Sequence, residues 1–598
     1  MKFLLFLTMS LFSFQLHAIQ EFEAVVTDKK FNSSSSITID QTEIKKSRAK
    51  DLTSLLATQA NISITQSSFQ PTSIFLRGGD SSHVLILVDG IPFYDASTVQ
   101  RTVNLNSLNL NSVQKIEVIK GSQSVLFGGQ ALSGVIKITT IPKEIKNSGL
   151  VNAQLGSQQS RLLAASGIYT LDENQSLLLR ANVSDRNNKS PVLNSAKIYP
   201  TRANTVETAY VYKNENIESF AKALTSFDKT FIATSDFATF KAVDTDNFEF
   251  STYQLSTAGS VKLLKDFFKP QAFIAFQRGA RVLEQEGTTP ITKQDYIGDL
   301  LTSRFELSPV DTDRLKIITG LSMTQEKLIY NNAGSTIADV DQDYQGLFVK
   351  SDFKLSPELF LEAGIRTDYV KWEKSVLTYQ LGLTLFKDFK IEYSTGFKRP
   401  SLTQLFAVFA NPDLQPEKSI STSLTYETNL TTDWFFSVTG FQNEFTNLIL
   451  AKGFPTKYEN IAKSKTVGLE ASTGLRFEPQ QLVFNLSLGY QEPRDIDQAN
   501  WLVRRPLRTA SFKVRKSIND FDLGLEVVHN GDRRDRAGLT SYATVDGYTY
   551  VNATTEYKYS EKFSVYIRGQ NITNYIYQNS YGYYDEGQNY VIGAELTF

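Results

Sequence analysis

Along most of the chain, apolar and polar residues alternate one for one. In LVFNLSLGY, Leu482, Phe484, Leu486, Leu488 and Tyr490 fall on one face, and Val483, Asn485, Ser487 and Gly489 on the other. FSVYIRG sets Phe563, Val565 and Ile567 against Ser564, Tyr566 and Arg568. FLEAGIRTDY sets Leu361, Ala363 and Ile365 against Glu362, Gly364 and Arg366. A period of two with one apolar face predicts antiparallel strands. Such segments, each about ten residues long between polar turns, fill residues 143–598 and suit strands that cross a bilayer at a tilt. A soluble sandwich or propeller would also alternate. The lack of an obvious internal repeat counts against the propeller.

The texture before residue 143 is different. Residues 31–142 read as a compact mixed α/β domain. TEIKKSRAKDLTSLLATQ has helical spacing, and SIFLRGG, HVLILVDG, QKIEVIKG and GVIKITT read as short strands that end in glycine or turn residues. Residues 1–18 read as a signal peptide: Lys2 is the charged start, Phe3 to Leu16 the apolar stretch, and cleavage is expected after Ala18. The stretch is short for a membrane span. No later apolar run is long enough for a spanning helix. The mature chain is therefore an exported soluble protein or a transmembrane β-barrel, the other structure that satisfies its backbone in lipid.

Composition narrows the chemistry. With 41% hydrophobic and 21% charged residues, the 598-residue chain is not of disordered type. A formal charge of −1 gives no electrostatic grip on nucleic acid. The absence of cysteine excludes disulfides, thiolate metal sites and cysteine nucleophiles. Beyond the leader the histidines are His83 and His529, far apart in sequence. No paired metal ligands, phosphate loop or nucleophile elbow is present, so no enzyme is expected.

Five stretches carry a family resemblance: LRGGDSSHVLILVDGIPFYD (76–95), VQKIEVIKGSQSVLFGGQALSGVIKITT (113–140), GFKRPSLTQLFAVFANPDLQPEKS (396–419), YENIAKSKTVGLEAS (458–472) and IRGQNITNYIYQ (567–578). Together they resemble TonB-dependent outer-membrane transporters. The final YVIGAELTF, ending in aromatic Phe598, resembles the closing strand of bacterial outer-membrane barrels. The resemblance implies a 22-stranded antiparallel barrel over 143–598 with an N-terminal mixed α/β plug, 31–142, in its lumen. About 20 residues per strand and turn suit such a plugged barrel.

Residues 19–30 then take on meaning. Glu23, Ala24, Val25, Val26 and Thr27 resemble a TonB box, a β-prone segment that adds as a strand to a partner's sheet edge. The Ser-rich tether behind it supplies reach. The implied partner is TonB of the inner-membrane energy-coupling complex. The resemblance also sets Arg77 and Lys120 of the plug against Glu417 and Glu470 of the barrel. Modest ion pairs in a hydrated lumen hold a plug firmly yet releasably. Lysine lacks the bidentate fork of arginine, so pairing at Lys120 is expected to be looser.

Within the family the closest resemblance is to cobalamin receptors, carried by SSHVLILVDG, GFKRPSLTQLF, NPDLQPEKS and LVRRPLRTASFKV (502–514). It implies that two plug loops face a corrinoid: Gln66, Phe69, Gln70, Thr72 and Ser73 in one, and Tyr94, Asp95, Ser97, Thr98 and Gln100 in the other. It also makes structural calcium a candidate, at Asp236, Asp244 and Asp246 or at Asp339, Asp341 and Asp343, although a solvated acidic loop fits these runs better. A single copy in outer-membrane lipid is expected. Three rivals stay open here: a ferric siderophore or other metal-chelate receptor with the same machinery, a passive porin-like channel, and a secreted β enzyme.

Overall fold

The structure, a computed structural model, describes residues 35–598 apart from 61, 66–72, 237, 287–292, 371–374, 453–455 and 539–540. The side chains of 106, 245–247 and 370 lie outside the description too.

The N-terminal domain carries strands β1 (Ser36–Asp40), β2 (Ile62–Thr65), β3 (Ser73–Leu76), β4 (Val84–Val88), β5 (Ile91–Pro92), β6 (Lys115–Lys120) and β7 (Gly134–Thr139). Five of them form a mixed sheet in the order β1-β6-β7-β4-β5, with β4 and β7 parallel, while β2 and β3 pair separately. Each stretch expected as a strand supplies one of these. The expected helical stretch breaks in two, α1 (Gln41–Ser47) and α2 (Leu52–Ala57). Arg48 at φ 48 turns the chain out of α1, and Asp51 restarts it with a capping box to Ser54. The break lets α2 bury Leu52, Leu55 and Leu56 against Ile116 and Val118 of β6 and Ile136 and Ile138 of β7. Each such side chain contributes about 1.5–3 kcal/mol on burial.

From Ser148 onward, 22 strands close into one barrel, with the two-residue segment Asn500–Trp501 extending a hairpin. The last strand, Asn589–Thr597, pairs with Phe563–Gln570 on one side and with Ser148–Gly156 on the other, which removes both sheet edges. The seam ends on Phe598, whose ring lies over Gly149. A Cβ there would sit 2.2 Å from the ring.

The alternation is inside out. Phe563, Val565 and Ile567 face outward and are exposed, while Ser564, Tyr566 and Arg568 are buried in the lumen. Water does not reward that arrangement; lipid does. On the strand Ser335–Ser356 the outward apolar band runs from Leu347 to Leu355, about 27 Å along the strand at ~3.4 Å per residue. Strand directions alternate, so the turns on the rim that carries Phe598 include 264–270, 386–388, 478–481 and 559–562. Phe267, Phe268, Phe386, Phe477 and Tyr559 stand exposed at that rim, the aromatic collar of a membrane interface. No described helix is long and apolar enough to cross a membrane.

Candidate functional site: the plug–barrel interface

The N-terminal domain sits inside the barrel, and the chemistry lies where the two meet. Four of its charged residues that bond to the wall adopt left-handed backbone: Arg48 (φ 48), Arg77 (φ 44), Asp89 (φ 51) and Arg101 (φ 50). A non-glycine residue in that region costs of order 1–3 kcal/mol, a strain tolerated where surrounding structure over-determines it. Here each turn throws a charged side chain off the plug and toward the wall.

Arg77 follows β3, and Lys120 ends β6. Arg77 Nη2 donates to Glu470 Oε2 at 2.7 Å and lies over the Phe441 ring at 4.6 Å. Asn443 Nδ2 donates to the Arg77 carbonyl at 3.0 Å. Lys120 Nζ stands 3.3 Å from the same Glu470 oxygen. All three charged side chains are 2% exposed. Burial pushes the Lys120 ammonium below its usual range; Glu470 only partly offsets that, and Arg77 adds repulsion. Arg77 is thus the strong partner of Glu470 and Lys120 the weak one.

Glu417 departs from expectation. It stands apart from that cluster and meets no basic plug residue of the expected pair. Its Oε2 accepts from Lys398 Nζ at 2.7 Å, and its Oε1 from the Ile449 amide at 2.8 Å. The strand register explains this: Glu417 pairs directly with Lys398, so its nearest cation lies in the barrel's own wall. The plug group facing it is His83, with Nε2 at 3.4 Å. His83 Nδ1 accepts from the Asp80 amide at 3.0 Å, which leaves the proton on Nε2 to point at Glu417. The ring also stacks on Phe445 at 5.1 Å.

The plug segment after β5, expected to face a ligand, is bolted to the wall. Tyr94 OH donates to Glu326 Oε1 at 2.7 Å. Asp95 accepts from the Ser97 amide at 2.8 Å and pairs with Arg281 at 2.9 Å. Ser97 Oγ also donates to Asp95, and Thr98 Oγ1 donates to the Asp95 carbonyl. These polar groups are spent inside the fold, and only half-buried Gln100 keeps an oxygen without a partner among the described residues. Ser73 is buried in the β2–β3 hairpin. Gln66, Phe69, Gln70 and Thr72 lie outside the described residues. So does Glu23–Thr27.

Sequence reasoning missed the groups that clamp this segment. Arg101 is forked onto Glu326, with Nε–Oε1 at 2.9 Å and Nη2–Oε2 at 2.8 Å. The same guanidinium donates to the Arg399 and Pro400 carbonyls at 2.8 and 2.9 Å. These carbonyls lead into α3 (Leu402–Phe406), a short helix with Ser401 as its cap, from which Thr403 Oγ1 donates to the Ser97 carbonyl at 2.9 Å. Arg505, from the segment after Asn500–Trp501, pairs with Asp80 at 3.1 Å and lies over Phe75. Arg48 is paired with Glu556 and Glu595, both at 2.6 Å. Arg48 and Arg505 lie inside stretches quoted above, and Arg101 directly follows the loop residue Gln100. The partner of each, however, is hundreds of residues away in sequence.

The described acidic residues do not fit a calcium ion. Both oxygens of Asp244 accept from Ser190, Oδ1 also accepts from Tyr199, and Lys197 Nζ stands on the Asp244 carbonyl at 2.8 Å. Asp236 accepts from Thr239. The side chain of Asp246 lies outside the description. Asp339, Asp341 and Asp343 sit on one outward strand face. Alternate strand positions are ~6.8 Å apart, too far for three carboxylates to converge. Among the described residues no group of three or more acidic or histidine ligands could hold a metal.

A mixed-sheet domain is held inside a closed 22-strand barrel by ion pairs and hydrogen bonds. Residues 28–135 match the TonB-dependent Receptor Plug Domain, and residues 150–572 match the family described as TonB dependent receptor-like, beta-barrel. The chain belongs to the TonB-dependent receptor family. The receptor is therefore an outer-membrane transporter that works with TonB and binds a ligand, and its family is not one of enzymes. It is 25% identical over 587 residues to a vitamin B12 transporter, BtuB, of Vibrio cholerae, covering 94% of this chain and 92% of that one. The counterpart from Vibrio vulnificus is 24% identical over 550 residues, covering 88% and 86%. Among solved structures, the siderophore receptor PirA from Acinetobacter baumannii superposes with a TM-score of 0.82 at 15% identity, covering 95% of this chain and 98% of that one. The ferric enterobactin receptor PfeA from Pseudomonas aeruginosa gives 0.81 at 17% identity, covering 95% and 99%. At such identities these structures speak for the fold alone.

Proposed function

We propose that this receptor imports a corrinoid, cobalamin foremost, across the outer membrane. The observation that carries the reading is the match, over 94% of this chain and 92% of the relative, to a vitamin B12 transporter. The likeness spans plug and barrel together, so it includes the surfaces between which a ligand must pass. Glu23–Thr27 would recruit TonB by strand addition. Pulling there would load α1, which Arg48 ties to the wall. A closed barrel leaves no unpaired edge to recruit a second copy, which supports a single copy in lipid.

One feature favours a ferric siderophore as the second reading. Arg281 lies 4.9 Å over the Tyr296 ring, and Tyr296 stacks on Tyr330 at 4.5 Å. Stacked aromatic faces suit an aromatic chelate, with the Arg281 charge already answered by Asp95. The test is equilibrium binding of cyanocobalamin to the detergent-purified receptor, with ferric enterobactin as competitor. Saturable cyanocobalamin binding that the competitor leaves intact supports the corrinoid. Binding of ferric enterobactin alone overturns it and selects the second reading.

A further inference from the structure

Between the plug and the wall lies a cavity with room for water centres of about 60 Å³. At ~10–15 Å³ per water that is space for a few waters, or for one small oxyanion. Four arginines line it: Arg101 from the plug and Arg304, Arg366 and Arg399 from the barrel. Three carboxylates face them. Glu326 takes Arg101. Glu306 takes Arg304, and Asp368 takes Arg366 through two bonds, at 2.7 and 2.8 Å. Arg399 reaches the already occupied Asp368 only at 3.5 Å. It is held instead by stacking, with its guanidinium 3.7 Å from the Tyr344 ring centre. The walls therefore carry one positive charge more than negative.

Unspent polar atoms belong to residues of the same lining. Arg366 is 4% exposed, yet its Nη1 has no hydrogen-bond partner among the described residues. The same holds for Arg399 Nε and for Thr302 Oγ1, on residues that also line the cavity. A buried guanidinium N–H left unpaired is costly, and arginine forks are matched to carboxylate and phosphate oxygens. We propose that this cavity is an oxyanion site, taking a phosphate or carboxylate group between Arg366, Arg399 and Thr302. The space admits the group and excludes a large cargo as a whole. The occupant is either a free anion or an anionic group projecting from a larger molecule.

The test uses the full-length receptor in detergent. Binding of inorganic phosphate, acetate and dimethyl phosphate is measured by calorimetry and by thermal shift against chloride at equal ionic strength. Arg399→Gln removes the excess charge and leaves Asp368 with Arg366. Thr302→Val removes the unpaired hydroxyl at nearly constant shape and guards against a misfolded first variant. Phosphate is expected to raise the melting temperature where chloride does not. Affinity is expected to fall at least tenfold in Arg399→Gln and several-fold in Thr302→Val. Dimethyl phosphate binding alongside phosphate supports the site and assigns it to a group carried on a larger molecule; binding of phosphate or acetate alone supports it with a free anion as occupant. Equal effects of phosphate and chloride, or phosphate binding unchanged in both folded variants, would overturn the proposal.

Discussion

Consider Glu470→Gln, which keeps the shape of the side chain and removes its charge. Arg77 and Lys120 then remain at 2.7 and 3.3 Å from a neutral amide, each 2% exposed. Removing one partner of a buried ion pair costs about 3–5 kcal/mol, because the surviving charge stays buried. Plug opening should become easier by that amount, or about 10²- to 10³·⁵-fold at 1.4 kcal/mol per decade. The chain has no cysteine, which provides a clean reporter. Ser122 is 1% exposed at the interface, so a thiol introduced by Ser122→Cys reacts with a maleimide only when the plug opens. Labelling should accelerate by the factor given. Lys120→Met in the same background should change the rate by less than about tenfold, because burial of its ammonium already opposes the attraction to Glu470. The pH dependence has a definite sign. Lys120 in the folded protein releases its proton below 10.5, so between its depressed value and 10.5 the unfolded plug binds more protons and plug stability rises with pH. Lys120→Met should abolish that rise. Labelling of Glu470→Gln within threefold of the parent would refute the reasoning.

Other outcomes follow from the same interface. Gly78 has φ +80, and a Cβ would lie 1.9 Å from Thr466 Oγ1, so Gly78→Ala should undock the plug turn, seen as faster Ser122→Cys labelling, with partial rescue by Thr466→Ala. Tyr94→Phe deletes a hydrogen bond to a buried carboxylate and should loosen the plug by about 1.5–3 kcal/mol without abolishing ligand binding, measured by labelling and calorimetry. Asp89 is held below the ordinary carboxylate range: burial alone would raise it, but Lys222 and Thr140 lower it further. Its contribution is complete above about pH 4 and is lost as pH falls through the depressed value, a loss that Asp89→Asn should flatten in acid-release curves. Chelation with EDTA should leave the melting temperature and ligand affinity unchanged, since the described aspartates already accept hydrogen bonds or stand too far apart.

Much of the architecture was legible in the linear chain because lipid makes one demand that periodicity records directly. A strand between hydrocarbon and a wet lumen must alternate, and Phe563, Val565 and Ile567 against Ser564, Tyr566 and Arg568 show it without any coordinates. The plug strands were readable from short apolar runs that stop at glycine. Arg77 and Glu470 were marked by the stretches around them. Their meeting at 2.7 Å spans 393 residues, however, and nothing local dictates it. Register decided the rest. Glu417 pairs across the strand with Lys398, so its charge is answered within the wall and the plug offers it only His83. The segment Tyr94–Thr98 has the hydroxyls and carboxylate of a ligand loop, and the fold spends them on Glu326, Arg281 and its own backbone. Periodicity and the quoted stretches by themselves determined a barrel of alternating strands behind a mixed α/β domain. Which polar groups remain unspent is a property of partners far apart in sequence, and only closure of the barrel around the plug decides it.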